Sequence, residues 1–477
     1  MKLEMNSDEV FGLIKTIGDT PGKNDKEAML KACASSELLK RVLKAACDPT
    51  ISYGIKKVPP RDAPAVATRN FNEDTWAVLE AMRTRALTGN AMQSAVSNEL
   101  NSLTAESAEL FKRVMLKDLR AGFAENTTNK AFPGLVPDFP YMRCCLPKDT
   151  DMSDFDWFKG EISQEKADGM FFNVDHEASG EVFLSSRAGS QFPTDEFGDL
   201  IADVKRTLKP GTQSHGEVIV ERDGSTLARE IGNGILNSVL KGGVFGLGEK
   251  PVFLVWDQIP LTAVVPKGKY VEPYRKRLAD ILTQVNAVRE TSGGHVLSCV
   301  RLIPTRIVKS LEAAYAHYGE LLAQGKEGTV LKRGKAIWRD GTSKDQIKLK
   351  LEFVVDLKVV AIVPGKANGK NAGRPGSLAC ETSEGLLRVD VTVKNEKLRD
   401  EIEANPADWI GKIIKVCANG IMKPSDSNTL YSLFLPRMVE ACYRLDKFEP
   451  DSLERVFEQE AAAKSGAAIA EAMKKAA

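Results

Sequence analysis

Several things are missing from this chain, and each absence excludes something. Its 66 Lys and Arg stand against 65 Asp and Glu, a formal charge of +1. No global excess of positive charge points to a polyanion partner, so any nucleic-acid surface must come from local segregation. The eight cysteines, Cys33, Cys47, Cys144, Cys145, Cys299, Cys380, Cys417 and Cys442, include no Cys-x-x-Cys pair. That spacing argues against a zinc site and a disulfide framework, and suits a reducing cytosol. Only four histidines occur, His176, His215, His295 and His317. They are scattered without a serine or cysteine nucleophile, and each is expected to be solvated or at a core edge. No apolar run approaches the roughly 20 residues of a membrane helix, and no signal core opens the chain. A soluble protein of the cytoplasm, with no membrane partner, is expected.

Two glycine-rich stretches also fail as nucleotide motifs. In Gly365-Lys366-Ala367-Asn368-Gly369-Lys370 the glycines stand one residue too close, and Asn371 replaces the Ser or Thr of a P-loop. Gly246-Leu247-Gly248 has no helical pattern after it. A nucleotide site must therefore be built by other means.

What is present divides along the chain. At 477 residues, about three domains are expected from length. Residues 1–135 read as helical: Leu38 to Lys44 and Ala108 to Met115 carry apolar residues at helical spacing with basic residues between them. Thr88-Gly89-Asn90 suggests a helix start with Asn90 as N-cap. Pro133-Gly134-Leu135-Val136-Pro137 is a natural linker. Residues 138–355 mix short β-rich runs, such as Val252-Phe253-Leu254-Val255-Trp256, with helical patterns near 196–208, 270–289 and 309–323, an α+β domain. From Asp356 to about 458 several short alternating runs suggest a small barrel such as an OB-fold. Residues 459–477 are alanine-rich and read as a frayed or disordered tail.

The most informative stretch is Lys166-Ala167-Asp168-Gly169. It sets an amine two residues before a carboxylate, and then a residue that lets backbone approach a ligand. A lysine amine attacks phosphorus only once deprotonated, which burial or a neighbouring cation promotes. Alone the tetrapeptide is equally a surface turn. Downstream companions stand in order: Ser186-Arg187-Ala188-Gly189, His215-Gly216-Glu217, Val255-Trp256-Asp257, Glu327-Gly328-Thr329-Val330-Leu331-Lys332, Lys348-Leu349-Lys350 and Arg444-Leu445-Asp446-Lys447. Lys348 and Lys350 have period-2 spacing, so on a strand both aim to one face, where an anion would relieve their repulsion. An exposed edge strand explains them as well.

In order and spacing this series resembles the motifs of ATP-dependent DNA ligases, in detail those of the T-even-type bacteriophages, over nearly the whole chain. The resemblance implies an all-α N-terminal DNA-binding domain, an α+β nucleotidyltransferase (adenylation) domain and a C-terminal OB-fold barrel. It implies Lys166 as the nucleophile on ATP, giving a lysyl-AMP. AMP then moves to the 5′-phosphate of a nick in duplex DNA, and the 3′-hydroxyl displaces it. Asp168, Glu217 and Glu327 match acidic positions for Mg²⁺ or the ribose, and carboxylates are the oxygen ligands Mg²⁺ prefers. Gly169 belongs to the nucleotide site, Trp256 matches an adenine-stacking aromatic, and Lys348 and Lys350 match triphosphate ligands. Arg444, Asp446 and Lys447 match the motif that orients departing pyrophosphate. Gln164 could read the adenine edge with its amide. One position departs from the pattern: Phe171 stands where the family places an arginine, so a contact to ribose or phosphate is lost or supplied elsewhere.

For DNA, the resemblance extends to residues 118–130, which implies Arg120 and Lys130 on phosphate, and Arg187 matches a phosphate-binding arginine. Such contacts position without reading sequence. Lys358, Lys366, Lys370 and Arg374 lie in a stretch without an acidic residue, a basic loop that could close on the duplex, or equally a solvated hairpin. The alternatives are an RNA ligase or RNA-capping nucleotidyltransferase, and a non-catalytic nucleic-acid-binding homologue. A monomer is expected.

Overall fold

The structure is a computed structural model that describes residues 4–20, 22–55, 57–62, 69–291, 298–366, 371–425, 428–465, 469 and 474. The chain forms two compact units, residues 1–139 with 185–192, and residues 140–184 with 193–477.

The first unit is helical because its apolar residues recur every three or four positions. In the helix Glu37–Cys47, Leu39, Val42, Leu43 and Ala46 turn to one side and are buried. Ser7–Asp19 begins with a capping box: the Asn6 side chain accepts from Asp8 and Glu9 N–H, and the Glu9 carboxylate accepts from Asn6 N–H at 2.8 Å. Ala105–Met115 packs across it, and Val10, Ile14, Ile17, Leu110, Phe111 and Val114 share the core. The helix expected to start at Asn90 starts earlier, at Gly89 with Thr88 as N-cap. Gly89 takes φ +53°, turning the chain into the helix before Asn90 is reached. The loop 185–192 is tied to this unit by Ser190, whose hydroxyl donates to the Pro49 carbonyl at 2.9 Å.

The second unit holds three larger sheets. One has the strand order Met142–Cys145, Gly341–Lys350, Gly328–Lys332, Glu161–Glu165, Thr305–Val308. The helix Leu311–Ala323 covers its inner face with Ala314, Tyr315, Tyr318 and Leu322, against Leu331, Ile347 and Leu349. A second runs Val182–Ser185, Met170–His176, Thr212–Arg222, Glu249–Pro260, Val300–Leu302. The third is antiparallel, in the order Arg388–Thr392, Pro375–Glu381, Phe353–Pro364, Ile413–Ala418, Arg437–Met438. Its central strand buries Phe353, Val355, Leu357 and Val359 alternately, the period of a sheet with one wet face.

One expectation is narrowed here. His176, His215 and His317 are interior rather than solvated, and one nitrogen of each ring has a partner: Leu208 O at 2.8 Å, Gln213 Oε1 at 2.9 Å and Ser163 Oγ at 2.8 Å. His295 lies outside the described residues. The helix Leu453–Ala463, capped by Ser452 and anchored by fully buried Val456, runs into the alanine-rich stretch as far as Ala463, and most of the stretch beyond lies outside the described residues.

Candidate active site

The strand Glu161–Glu165 ends one residue before Lys166, whose N–H donates to the Gly328 carbonyl at 2.9 Å. In this register Gln164 opposes Val330, Val330 opposes Lys348, and Gly328 opposes Lys350. Opposed residues share a face, and faces alternate along a strand. Gln164, Lys166, Lys348 and Lys350 therefore share the sheet face opposite to the buried Leu331 and Leu349. Gly328 lies between Lys166 and Lys350. Its φ of +138° suits glycine, and a Cβ there would stand 2.2 Å from the Leu349 carbonyl oxygen.

The Lys166 amine lies 2.5 Å from Glu327 Oε2. Asp168 pairs with Arg229 at 2.8 Å, and the Gly169 N–H donates to Glu217 Oε2 at 2.9 Å. A side chain at Gly169 would run into the Val218 carbonyl oxygen at 2.4 Å, so the motif's last residue must be glycine here. Burial pushes the Asp168 carboxyl above its ordinary range; Glu327 adds to this while Arg229 and Lys166 oppose it. Burial likewise raises Glu217, with Glu327 and Asp168 adding. The three carboxylates thus feel one another around Lys166. A cavity of about 580 Å³ opens beside them, lined by Lys166, Asp168, Gly169, Arg229, Arg301 and Glu327 among others.

Among the described residues no three His, Cys, Asp or Glu side chains are grouped to hold a metal unaided. Mg²⁺ is usually bound by one or two carboxylates together with substrate phosphates and water. Carboxylates crowded beside an open cavity fit an ion that arrives with a nucleotide.

Trp256 is the extra residue of a β-bulge, since His215 opposes Asp257 while Gly216 opposes Val255. Its ring is half-buried, 5.9 Å from the Phe171 ring and 5.5 Å from the Lys332 amine. Phe171 also meets Tyr141 edge-on at 4.8 Å. The Phe171 ring thus packs between Tyr141 and the tryptophan. Tyr274 donates toward the Trp256 carbonyl at 2.7 Å and Gln164 Oε1 at 2.9 Å, and the Gln164 amide donates to Thr305 Oγ1 at 3.1 Å. At 1% exposure, Gln164 uses its carbonyl on Tyr274 and one amide N–H on Thr305, and so orients Tyr274. Lys332 donates to the Tyr274 hydroxyl at 3.1 Å, and burial lowers its amine to about 8, opposed by Asp257.

Lys350 pairs with Glu352 at 3.1 Å. Arg444, Asp446 and Lys447 line no part of the Lys166 cavity: Arg444 pairs with Asp356 at 3.0 Å and Asp446 at 2.5 Å, and Lys447 with Asp356 at 2.9 Å and Asp451 at 2.6 Å. Arg120 lies 3.7 Å from Glu109, Lys130 lies 3.9 Å from Glu27, and Arg187 is exposed. Lys366 is exposed and Lys370 lies outside the described residues. Arg374 is corrected: Asp400, Glu403 at 2.8 Å and Glu396 at 3.5 Å surround it. Those acids come from the helix Glu396–Ala404, distant in sequence from the loop, so the charge of Arg374 is neutralised in the fold.

Sequence reasoning missed Arg229, Tyr274 and Glu352, and quoted Lys332 without a role. Lys332 carried the one usable signal, a charged residue closing an otherwise apolar strand. Arg229 also places its guanidinium 4.5 Å from the centre of the Phe434 ring.

No family model matches the chain. It is 29% identical to the DNA ligases of Enterobacteria phages T4 and T6 over an alignment of 500 positions, which spans 94% of this chain and 98% of each relative. Solved structures named Pmar-Lig_PreS3 and Pmar-Lig_Pre superpose with TM-scores of 0.68 and 0.69 at 21% identity, covering 92% and 93% of this chain and all of each of theirs. These structures share its fold.

Proposed function

We propose that this chain, a relative of the phage DNA ligases along nearly its whole length, is an ATP-dependent DNA ligase that seals nicks in duplex DNA. The observation that carries the reading is the ion pair of Lys166 and Glu327, set beside Asp168, Glu217 and an open cavity. Nucleotidyl transfer needs positioning and charge neutralisation above all, and this group of residues can supply both.

Lys166 Nζ bonds to the α-phosphorus of ATP as the bond to pyrophosphate breaks. The amine must first give up a proton, and Glu327 Oε2 is the group placed to receive it. The 5′-phosphate of the nick then takes AMP from the lysine, and the 3′-hydroxyl attacks that phosphate and releases AMP. Trp256, braced by Phe171, is read as the face on which adenine stacks. Lys348 and Lys350 are read as ligands of the triphosphate. Bound Mg²⁺ would neutralise phosphate charge, held by Glu327, Glu217 and Asp168 together with the substrate. Arg444, Asp446 and Lys447 are read as attending the departing pyrophosphate once freed from Asp356 and Asp451.

The domain reading is residues 1–135 as a DNA-binding domain, 138–355 as the adenylation domain, and 356–458 as an OB-fold whose sheet is the third described above. Arg120, Lys130, Arg187 and Lys366 are read as phosphate contacts that fix position on the duplex. The protein is read as a monomer acting in the host cytoplasm. The test offers labelled ATP without nucleic acid, then nicked DNA, nicked RNA or triphosphate-ended RNA. Covalent label on Lys166 with sealing of nicked DNA is expected. Sealing confined to RNA would move the assignment to an RNA ligase.

A further inference from the structure

We propose that Glu352 sets how much of the Lys350 charge is available to the phosphates of a bound nucleoside triphosphate, and that Arg437 relieves this restraint. The inference rests on the reading of Lys350 as a phosphate ligand. Only Leu351 and Glu352 separate the strand Gly341–Lys350, in the sheet of Lys166, from Phe353–Pro364 in the third sheet. At this junction Glu352 Oε1 faces two cations: Lys350 Nζ at 3.1 Å and Arg437 Nη2 at 2.7 Å. One oxygen shared between two positive groups cannot fully neutralise both.

The cations belong to different sheets. Arg437 lies on Arg437–Met438, whose register places it opposite Cys417, and it donates to Asn419 Oδ1 at 2.9 Å. The Asn419 amide in turn donates to the Leu351 carbonyl at 2.5 Å. The position of Arg437 therefore follows the third sheet, while Lys350 follows the sheet of the nucleophile. With Arg437 in place, Glu352 is drawn off Lys350, and the lysine keeps charge for phosphate. If the third sheet turns away at Leu351-Glu352, Arg437 leaves and Glu352 pairs with Lys350 alone. Triphosphate is then held more weakly, at the stage when ATP is no longer needed. The side chains of Lys350, Glu352 and Arg437 are 21%, 43% and 32% exposed, so the coupling is worth a few-fold rather than orders of magnitude.

The experiment follows single-turnover labelling of the full-length protein against ATP concentration, for wild type, Arg437→Ala, Glu352→Gln and the double variant. Arg437→Ala should raise the half-saturating ATP concentration about threefold with little change in the limiting rate, while Glu352→Gln lowers it by about twofold. The double variant should match Glu352→Gln, because without the carboxylate there is nothing for Arg437 to relieve. An Arg437→Ala defect that persisted in the double variant would reveal a structural lesion and overturn the role of Glu352, as would an Arg437→Ala curve that coincides with wild type. A wild-type protein that takes no label would instead overturn the functional reading, and this inference with it.

Discussion

Lys166 and Glu327 meet at 2.5 Å, an ammonium and a carboxylate each about one-quarter exposed at the edge of the 580 Å³ cavity. The pair presents the nucleophile and a group that can take its proton in one place. Lys166→Arg preserves the charge opposite Glu327 and should leave the fold intact. An arginine cannot be deprotonated to attack, so lysyl-AMP should fall below detection in a labelled-ATP gel assay. The variant should still seal DNA already adenylylated at the 5′-phosphate, slowly. Covalent labelling of Lys166→Ala would sink the choice of nucleophile.

Asp168 lies under opposed influences: burial and Glu327 raise its carboxyl, and Arg229 lowers it. A carboxylate that acts ionised loses activity as pH falls through its raised pKa. Removing Arg229 takes away a lowering influence, so Arg229→Ala should lose activity at a higher pH than wild type. Single-turnover labelling between about pH 5 and 9 reads the shift. Coincident acid limbs would show that the ion pair does not govern Asp168.

Lys332 is buried under Trp256 and Tyr274, with its amine lowered from 10.5 to about 8. Below about pH 8 the folded protein must hold a charge that burial disfavours, at a cost on the order of 3 kcal/mol at most. Between about 8 and 10.5 the unfolded chain binds a proton that the folded one does not, so stability from this group rises with pH. Lys332→Met should therefore stabilise the protein at pH 7, with a gain that shrinks towards pH 10.5. Urea unfolding of both proteins at about pH 7 and 10 measures the difference. An equal gain at both values, or none, would remove the buried charge as its cause.

Much of this was legible before the fold was seen, for identifiable reasons. The alternating runs expected from Asp356 are strands, the first of them beginning earlier, at Phe353, and period-2 Lys348 and Lys350 share a face. Glu327 stood out because its motif names it, yet its partner lies 161 positions away. No spacing rule reaches that far. Arg229 and Glu352 were invisible for the same reason: each matters through a contact that only the folded sheets create. Arg374 misled because a basic loop was judged by its neighbours in sequence, while its acids lie on the helix Glu396–Ala404. The partners of Gln164, Tyr274 and Thr305, were out of reach of any spacing rule as well, the second of them 141 positions distant.

The same contrast yields a test on nucleic acid. Arg120, Lys130 and Arg187 belong to the helical unit, where Arg120 lies 3.7 Å from Glu109 and Lys130 3.9 Å from Glu27. Each cation that gives up its ionic surroundings for a DNA phosphate releases counterions, so binding weakens with salt at a slope of about 0.9 per phosphate contacted. Replacing Arg120, Lys130 and Arg187 together by alanine should weaken nicked-duplex binding and flatten that slope by roughly two to three. Labelling with ATP should be unchanged, since none of the three touches the Lys166 cavity. Arg374→Ala should do neither, because its guanidinium is already committed to Glu396, Asp400 and Glu403. Fluorescence anisotropy on nicked duplex at several salt concentrations separates the two sets. A slope unchanged in the triple variant but flattened in Arg374→Ala would move the DNA grip from the helical unit to the third sheet.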